Sequence, residues 1–173
     1  MPLKARFVAA MVLLAAHLLP VAYGSEPAKG YIYDAADAGD NRALVIDVVT
    51  RNVEIQSKAK AHIDAPLGDL GGGYDDCGNE KFFCLTGLLE IVIPKAMPMK
   101  QWGYHGLFCK GVAQPRGDIY RIACRSSKYR GHPTYTYSRS RGVLSIDSSP
   151  IGGARGGFQL RGEYGLFSPG SNP

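Results

Sequence analysis

The chain has 173 residues, 20 Lys and Arg against 15 Asp and Glu, and a formal net charge of +5. That length fits one ordinary domain with enough apolar material for a core of its own, and 22 Gly with 11 Pro argue against a helical fold. The charge is divided unevenly: residues 25–100 hold 8 basic and 12 acidic groups, and residues 101–173 hold 10 basic and 3 acidic groups.

The N-terminus has the three-part layout of a secretory signal peptide. Lys4 and Arg6 precede an apolar run over residues 7–19, and Ala22 and Gly24 supply the small residues before Ser25. A membrane-spanning helix needs about 20 apolar residues, and Pro20 interrupts too early for one. Residues 1–24 are therefore expected to be a cleaved leader and residues 25–173 a single β-rich domain, periplasmic or secreted. No Cys lies at the cleavage point to accept a lipid.

Downstream, Tyr31 to Tyr33 reads as a short strand. Asp34, Asp37 and Asp40 follow at a spacing of three, which suits turns better than a calcium loop of the EF-hand type. Residues 43–55 (ALVIDVVTRNVEI) read as a hairpin turning at Arg51-Asn52. Residues 57–76 read as an irregular excursion. The glycine run at 71–73 is no phosphate cradle, because no Gly-Lys-Ser/Thr follows.

Residues 82–93 are apolar almost throughout and predict one central strand, or two joined at Gly87, stopped by Pro94. Between Cys109 and Cys124, a four-residue turn at 115–118 would pair Gln114 with Ile119 and place the two cysteines directly opposite. One face of that ribbon then carries Leu107, Cys109, Ala113, Tyr120, Ile122 and Cys124; the other carries Phe108, Lys110, Val112, Arg121 and Arg125. Residues 134–138, 143–147 and 158–167 read as three more strands. The expected fold is all-β: an antiparallel sandwich or barrel of about 7–9 short strands.

Export gives the cysteines their meaning. Cys77, Cys84, Cys109 and Cys124 are even in number, so an oxidising compartment implies two disulfides, with the local pairing Cys77–Cys84 and Cys109–Cys124 favoured. Their spacing fits neither a structural zinc site nor a Cys-x-x-Cys redox pair, and neither metal nor cofactor is expected.

The stretch RSSKYRGHPTYTYSRSR (residues 125–141) interleaves cations with tyrosines. Lys110, Arg121, Arg125, Lys128, Tyr129, Arg130, Tyr135, Tyr137, Arg139 and Arg141 are the candidate binding residues, because guanidinium forks suit phosphate and carboxylate and tyrosine rings stack on planar groups. The expected function is a non-enzymatic exported domain, of inhibitor, immunity or envelope-accessory type, that binds an anionic envelope component or an acidic protein. Lipopolysaccharide, anionic lipid and acidic wall polymers are such components; nucleic acid is not expected outside the cytoplasm. Two rivals stand beside it. A small secreted hydrolase would use His105, on the strand face of Leu107 and Cys109, with a carboxylate among Asp75, Asp76, Glu80 and Glu90, although no Gly-x-Ser-x-Gly or His-Glu-x-x-His occurs. A structural envelope subunit would expose an apolar patch. Arg116-Gly117-Asp118 spells an adhesion tripeptide but sits where a hairpin turn already requires those residues.

Overall fold

A computed structural model describes residues 29–63, 71–115, 117–127, 132–147 and 156–169. The expected leader, residues 1–24, lies outside them. The described elements are all strands: β1 (Gly30–Ala35), β2 (Arg42–Asp47), β3 (Asn52–Ser57), β4 (Gly72–Asp76), β5 (Phe82–Gly87), β6 (Ile91–Pro94), β7 (Gln101–Tyr104), β8 (Leu107–Ala113), β9 (Ile119–Ser126), β10 (Thr134–Ser138), β11 (Gly142–Asp147) and β12 (Phe158–Leu160). They form one sheet in the order β6-β5-β4-β3-β2-β1-β12-β11-β10-β9-β8-β7, and every pairing is antiparallel.

That order contains its own reason for closure. β1 beside β12 is the midline, with one meander running out on each side. β6 and β7, consecutive in the chain, are the two outer strands, joined only by residues 95–100. A flat sheet of twelve strands would put them about 50 Å apart at about 4.8 Å per strand. The connection can span about 25 Å at most. The sheet must therefore curl until its ends meet, and it forms a nearly closed barrel, which settles the choice between barrel and sandwich.

The seam is joined by side chains. The Cys77 amide donates to the Cys84 carbonyl at 3.0 Å, so Cys84 faces β4, and Val92, directly opposite on β6, turns its own amide away from β5. Across the barrel, the Tyr135 hydroxyl accepts from the Val92 N–H at 3.1 Å and donates to the Val92 carbonyl at 2.9 Å. The Trp102 indole N–H reaches the same carbonyl at 2.9 Å. One phenol thus stands in for the missing neighbouring strand, since a buried unpaired amide is costly. Tyr33 repeats the device: its hydroxyl donates to the Val143 carbonyl and accepts from the Leu166 N–H, both at 3.0 Å. Burial pushes both phenols well above the ordinary tyrosine range, so they stay neutral hydrogen-bonding groups. At the rim of the seam, Tyr104 stacks on Phe82 with ring centroids 4.8 Å apart and donates to the Cys77 carbonyl at 3.0 Å.

The inward set follows the alternation of the strands. Tyr31, Tyr33 and Ala35 from β1 and Tyr120, Ile122 and Cys124 from β9 are buried, with Leu44, Ile46, Leu107 and Phe158. Each fully buried aliphatic side chain contributes roughly 1.5–3 kcal/mol by leaving water. Cys109 and Cys124 are directly opposed and bonded, with Cα atoms 4.0 Å apart, and Cys77 is bonded to Cys84. The Gln114 amide donates to the Ile119 carbonyl at 2.8 Å, closing the expected turn.

Twelve strands replace the expected 7–9. β4 begins inside the glycine run that reads as irregular, β7 adds a strand with no counterpart among the expected ones, and residues 82–93 divide into two strands after Gly87, the second of the two expected arrangements. The first hairpin turns over residues 48–51, and Asn52 already belongs to β3. The last expected strand, 158–167, ends at Leu160. Beyond it the chain packs back against β11: the Gly165 amide donates to the Arg141 carbonyl at 2.8 Å, and a Cβ on Gly165 would lie 2.0 Å from the Val143 carbonyl oxygen and 2.9 Å from the Tyr33 hydroxyl, so only glycine fits this approach.

Candidate functional site

β7, β8 and β9 form a hairpin pair whose outer face can be read row by row. Gly103, Phe108 and Arg125 make the first row, and Gln101, Lys110 and Ala123 the second. Val112 and Arg121 make the third; before the start of β7 the Gly111 amide donates to the Lys100 carbonyl at 3.0 Å, and Met99 precedes Lys100 outside the ladder. Lys110, Arg121 and Arg125 are exposed. Their exposure follows from parity: Cys109, Cys124 and Ile122 point inward, so their neighbours must point out. No Asp or Glu belongs to β7, β8 or β9. Salt bridges among the described residues join Asp40 to Arg42 and Asp34 to Arg161, each at 2.6 Å, and involve none of these three cations.

The remaining candidates divide. Tyr135 and Tyr137 are buried and belong to the core, so their rings offer no stacking surface. Reading the alternation Tyr-Thr-Tyr as a surface motif took the inward side of β10 for the outward one. Lys128, Tyr129 and Arg130 lie outside the described residues. Arg139 and Arg141 are exposed in the β10–β11 turn, where the Arg141 Nε donates to the Glu163 carbonyl at 2.8 Å. They stand beside Asp118, whose Oδ2 accepts from the hydroxyls of Ser138 and Ser140, both at 2.8 Å. This cluster ties the β8–β9 turn to the β10–β11 turn.

The Ser138 and Ser140 hydroxyls hold the Asp118 carboxyl below the usual carboxylate range. Its folded pKa therefore lies below its unfolded one. The resulting stabilisation is present above the unfolded carboxylate pKa, about 4, and is lost as pH falls through the folded value. Asp118→Asn should accordingly flatten the acid limb of a stability–pH curve measured by urea unfolding. A limb unchanged from the parent would show that the cluster contributes nothing to it.

His105 is not on the Leu107–Cys109 strand face. It occupies the two-residue β7–β8 turn with Gly106, both with positive φ (51° and 83°), which is the backbone a tight hairpin of the mirror type requires. The side chain is exposed, and its ring centroid is 5.9 Å from that of Tyr104. Among the described residues no carboxylate is hydrogen-bonded to it. Asp75 and Asp76 are exposed on β4, Glu80 is exposed, and Glu90 is buried. Among the described residues no group of three or more His, Cys, Asp or Glu could hold a metal ion, and no helix is long and apolar enough to cross a membrane.

Sequence parity had already placed Phe108, Lys110, Val112, Arg121 and Arg125 together. Met99 had no such signal, because it lies outside every strand and its exposure is set by the tertiary structure. The fold and face define a disulfide-bonded, nearly closed antiparallel β-barrel that exposes Lys110, Arg121 and Arg125 on the outer side of β8 and β9. No protein-family model, curated protein or solved structure matches the chain.

Proposed function

We propose that this protein is an exported, non-enzymatic β-domain that binds an anionic partner, an envelope component or an acidic protein, through the outer face of β8 and β9. One observation carries the reading: Lys110, Arg121 and Arg125 emerge on one face of two adjacent strands that contribute no acidic side chain. Like charges on neighbouring strands repel, and a polyanion relieves that repulsion while raising its own local concentration. The two disulfides support the export half of the reading, since such bonds persist in oxidising compartments.

The test is retention on a polyglutamate matrix across a salt gradient. The parent chain should elute at moderate salt, because exposed charges are screened once the Debye length falls below about 10 Å. Arg121→Glu with Arg125→Glu should abolish retention without altering the thermal melt. Retention that ignores both salt and the two substitutions would overturn the electrostatic reading.

A further inference from the structure

We infer that the outer face of β7, β8 and β9 docks on an anionic lipid surface, with Met99, Phe108 and Val112 entering the headgroup boundary while Lys110, Arg121 and Arg125 meet the phosphates. This rests on the anionic-partner reading and narrows it. The observation that adds to charge is the placement of apolar side chains. The described residues expose five large apolar side chains by more than a third, and three are here: Met99 at 38%, Phe108 at 58% and Val112 at 63%. Scattered exposed apolar residues need no explanation, but Phe108 and Val112 share one face with the three cations, and Met99 is exposed two residues before β7.

The arrangement alternates. Phe108 lies opposite Arg125 and Val112 opposite Arg121, with Lys110 between Phe108 and Val112 along β8. The strand repeat puts Phe108 and Val112 about 13 Å apart with Lys110 about 7 Å from each, and Arg125 and Arg121 each sit one strand spacing, about 5 Å, from their apolar partner. The Phe108 ring rests over Gly103, where a Cβ would lie 3.2 Å from it, so any larger residue at 103 would displace the ring. A soluble polyanion would satisfy the cations and leave Phe108 and Val112 in water. A bilayer boundary takes both: carbon enters the acyl edge, and the long Lys and Arg side chains reach back to the headgroups.

The experiment is co-sedimentation of the full chain with vesicles of equimolar phosphatidylcholine and phosphatidylglycerol, against vesicles of phosphatidylcholine alone, with polyglutamate retention run in parallel. The parent should sediment with the anionic vesicles and not the neutral ones. Losing two surface cations should weaken partition roughly thirtyfold, so Arg121→Gln with Arg125→Gln should lower both readouts. Phe108→Ser with Val112→Ser should lower vesicle binding about tenfold and leave polyglutamate retention unchanged. Should that double variant melt early, Met99→Ser provides the same readout from outside the β8–β9 pair. Arginine-dependent retention on polyglutamate without vesicle binding would overturn the lipid assignment, keep the anionic-partner reading and point to an acidic protein, and vesicle binding indifferent to the apolar substitutions would overturn the entry of this face into the headgroup boundary. Binding to neither probe would overturn both.

Discussion

Tyr135→Phe should destabilise the protein by about 2–3 kcal/mol although it removes a single oxygen. The ring stays, so no cavity of consequence opens. What is lost is the hydrogen-bond partner that the Val92 N–H has among the described residues, at 3.1 Å, inside a barrel where Tyr135 is 2% and Val92 0% exposed. The Val92 carbonyl keeps the Trp102 indole at 2.9 Å, so one group is orphaned and not two. An orphaned buried donor costs about 1–3 kcal/mol, and the lost bond adds to that. For a domain of this size the shift in Tm should be about 5–10 °C. Tyr104→Phe is the control: it also loses a bond to a backbone carbonyl, that of Cys77, but at the half-buried rim where water can replace it. Urea unfolding of both variants checks the contrast. Equal midpoints for Tyr135→Phe and Tyr104→Phe would show that the seam is not held by the buried phenol.

Replacing Cys109 and Cys124 together by Ala should cost about 3 kcal/mol. The bridge closes a loop of 15 residues in the unfolded chain, and the chain-entropy model gives about 3 kcal/mol for such a loop. Both sulfurs are inside, at 2% exposure, and the Tyr135 hydroxyl lies 3.0 Å from the Cys124 Sγ, so the bond sits against the same phenol that holds β6. Replacing Cys77 and Cys84 should cost slightly less, about 2.5 kcal/mol, because its separation is 7. The exposures of the two bridges differ as well: Cys77 is partly exposed, while Cys109 and Cys124 are enclosed. Mild reductant should therefore open Cys77–Cys84 first, and trapping of free thiols followed by peptide mapping should find Cys77 and Cys84 alkylated before the other two. Simultaneous alkylation of all four would contradict the enclosed placement of the second bridge.

Both substitutions probe features of very different visibility in the sequence. The Cys109–Cys124 bridge was readable because its information is local: a turn at 115–118 fixes the register, and register fixes which residues oppose. The outward set Phe108, Lys110, Val112, Arg121 and Arg125 was readable for the same reason, since strand parity assigns a face once two inward cysteines are known. Tyr135 was not readable in this way. Alternation on β10 gives two faces, Tyr135 and Tyr137 on one and Thr134 and Thr136 on the other, and nothing local states which looks inward. The neighbouring cations made the tyrosines look like surface; the Val92 amide, 43 residues earlier in the chain, makes them core.

The missed strands have one cause. β4 is written GGYDD and β7 QWGY, compositions that carry little strand preference of their own. They extend because a neighbour offers a ladder: β5 to β4, and β8 to β7. The reverse holds at residues 161–167, where alternation survives but Gly165 must approach Val143 more closely than any side chain would allow.

By itself the sequence determined the all-β class, the cysteine partners and the outward parity of Phe108, Lys110, Val112, Arg121 and Arg125, because short-range alternation and turn chemistry encode all three. Only the tertiary structure decided that the sheet closes into a barrel and that tyrosines seal it. Closure follows from the short tether between two strands at opposite ends of a twelve-stranded order, and that order is set by pairings between residues far apart in the chain.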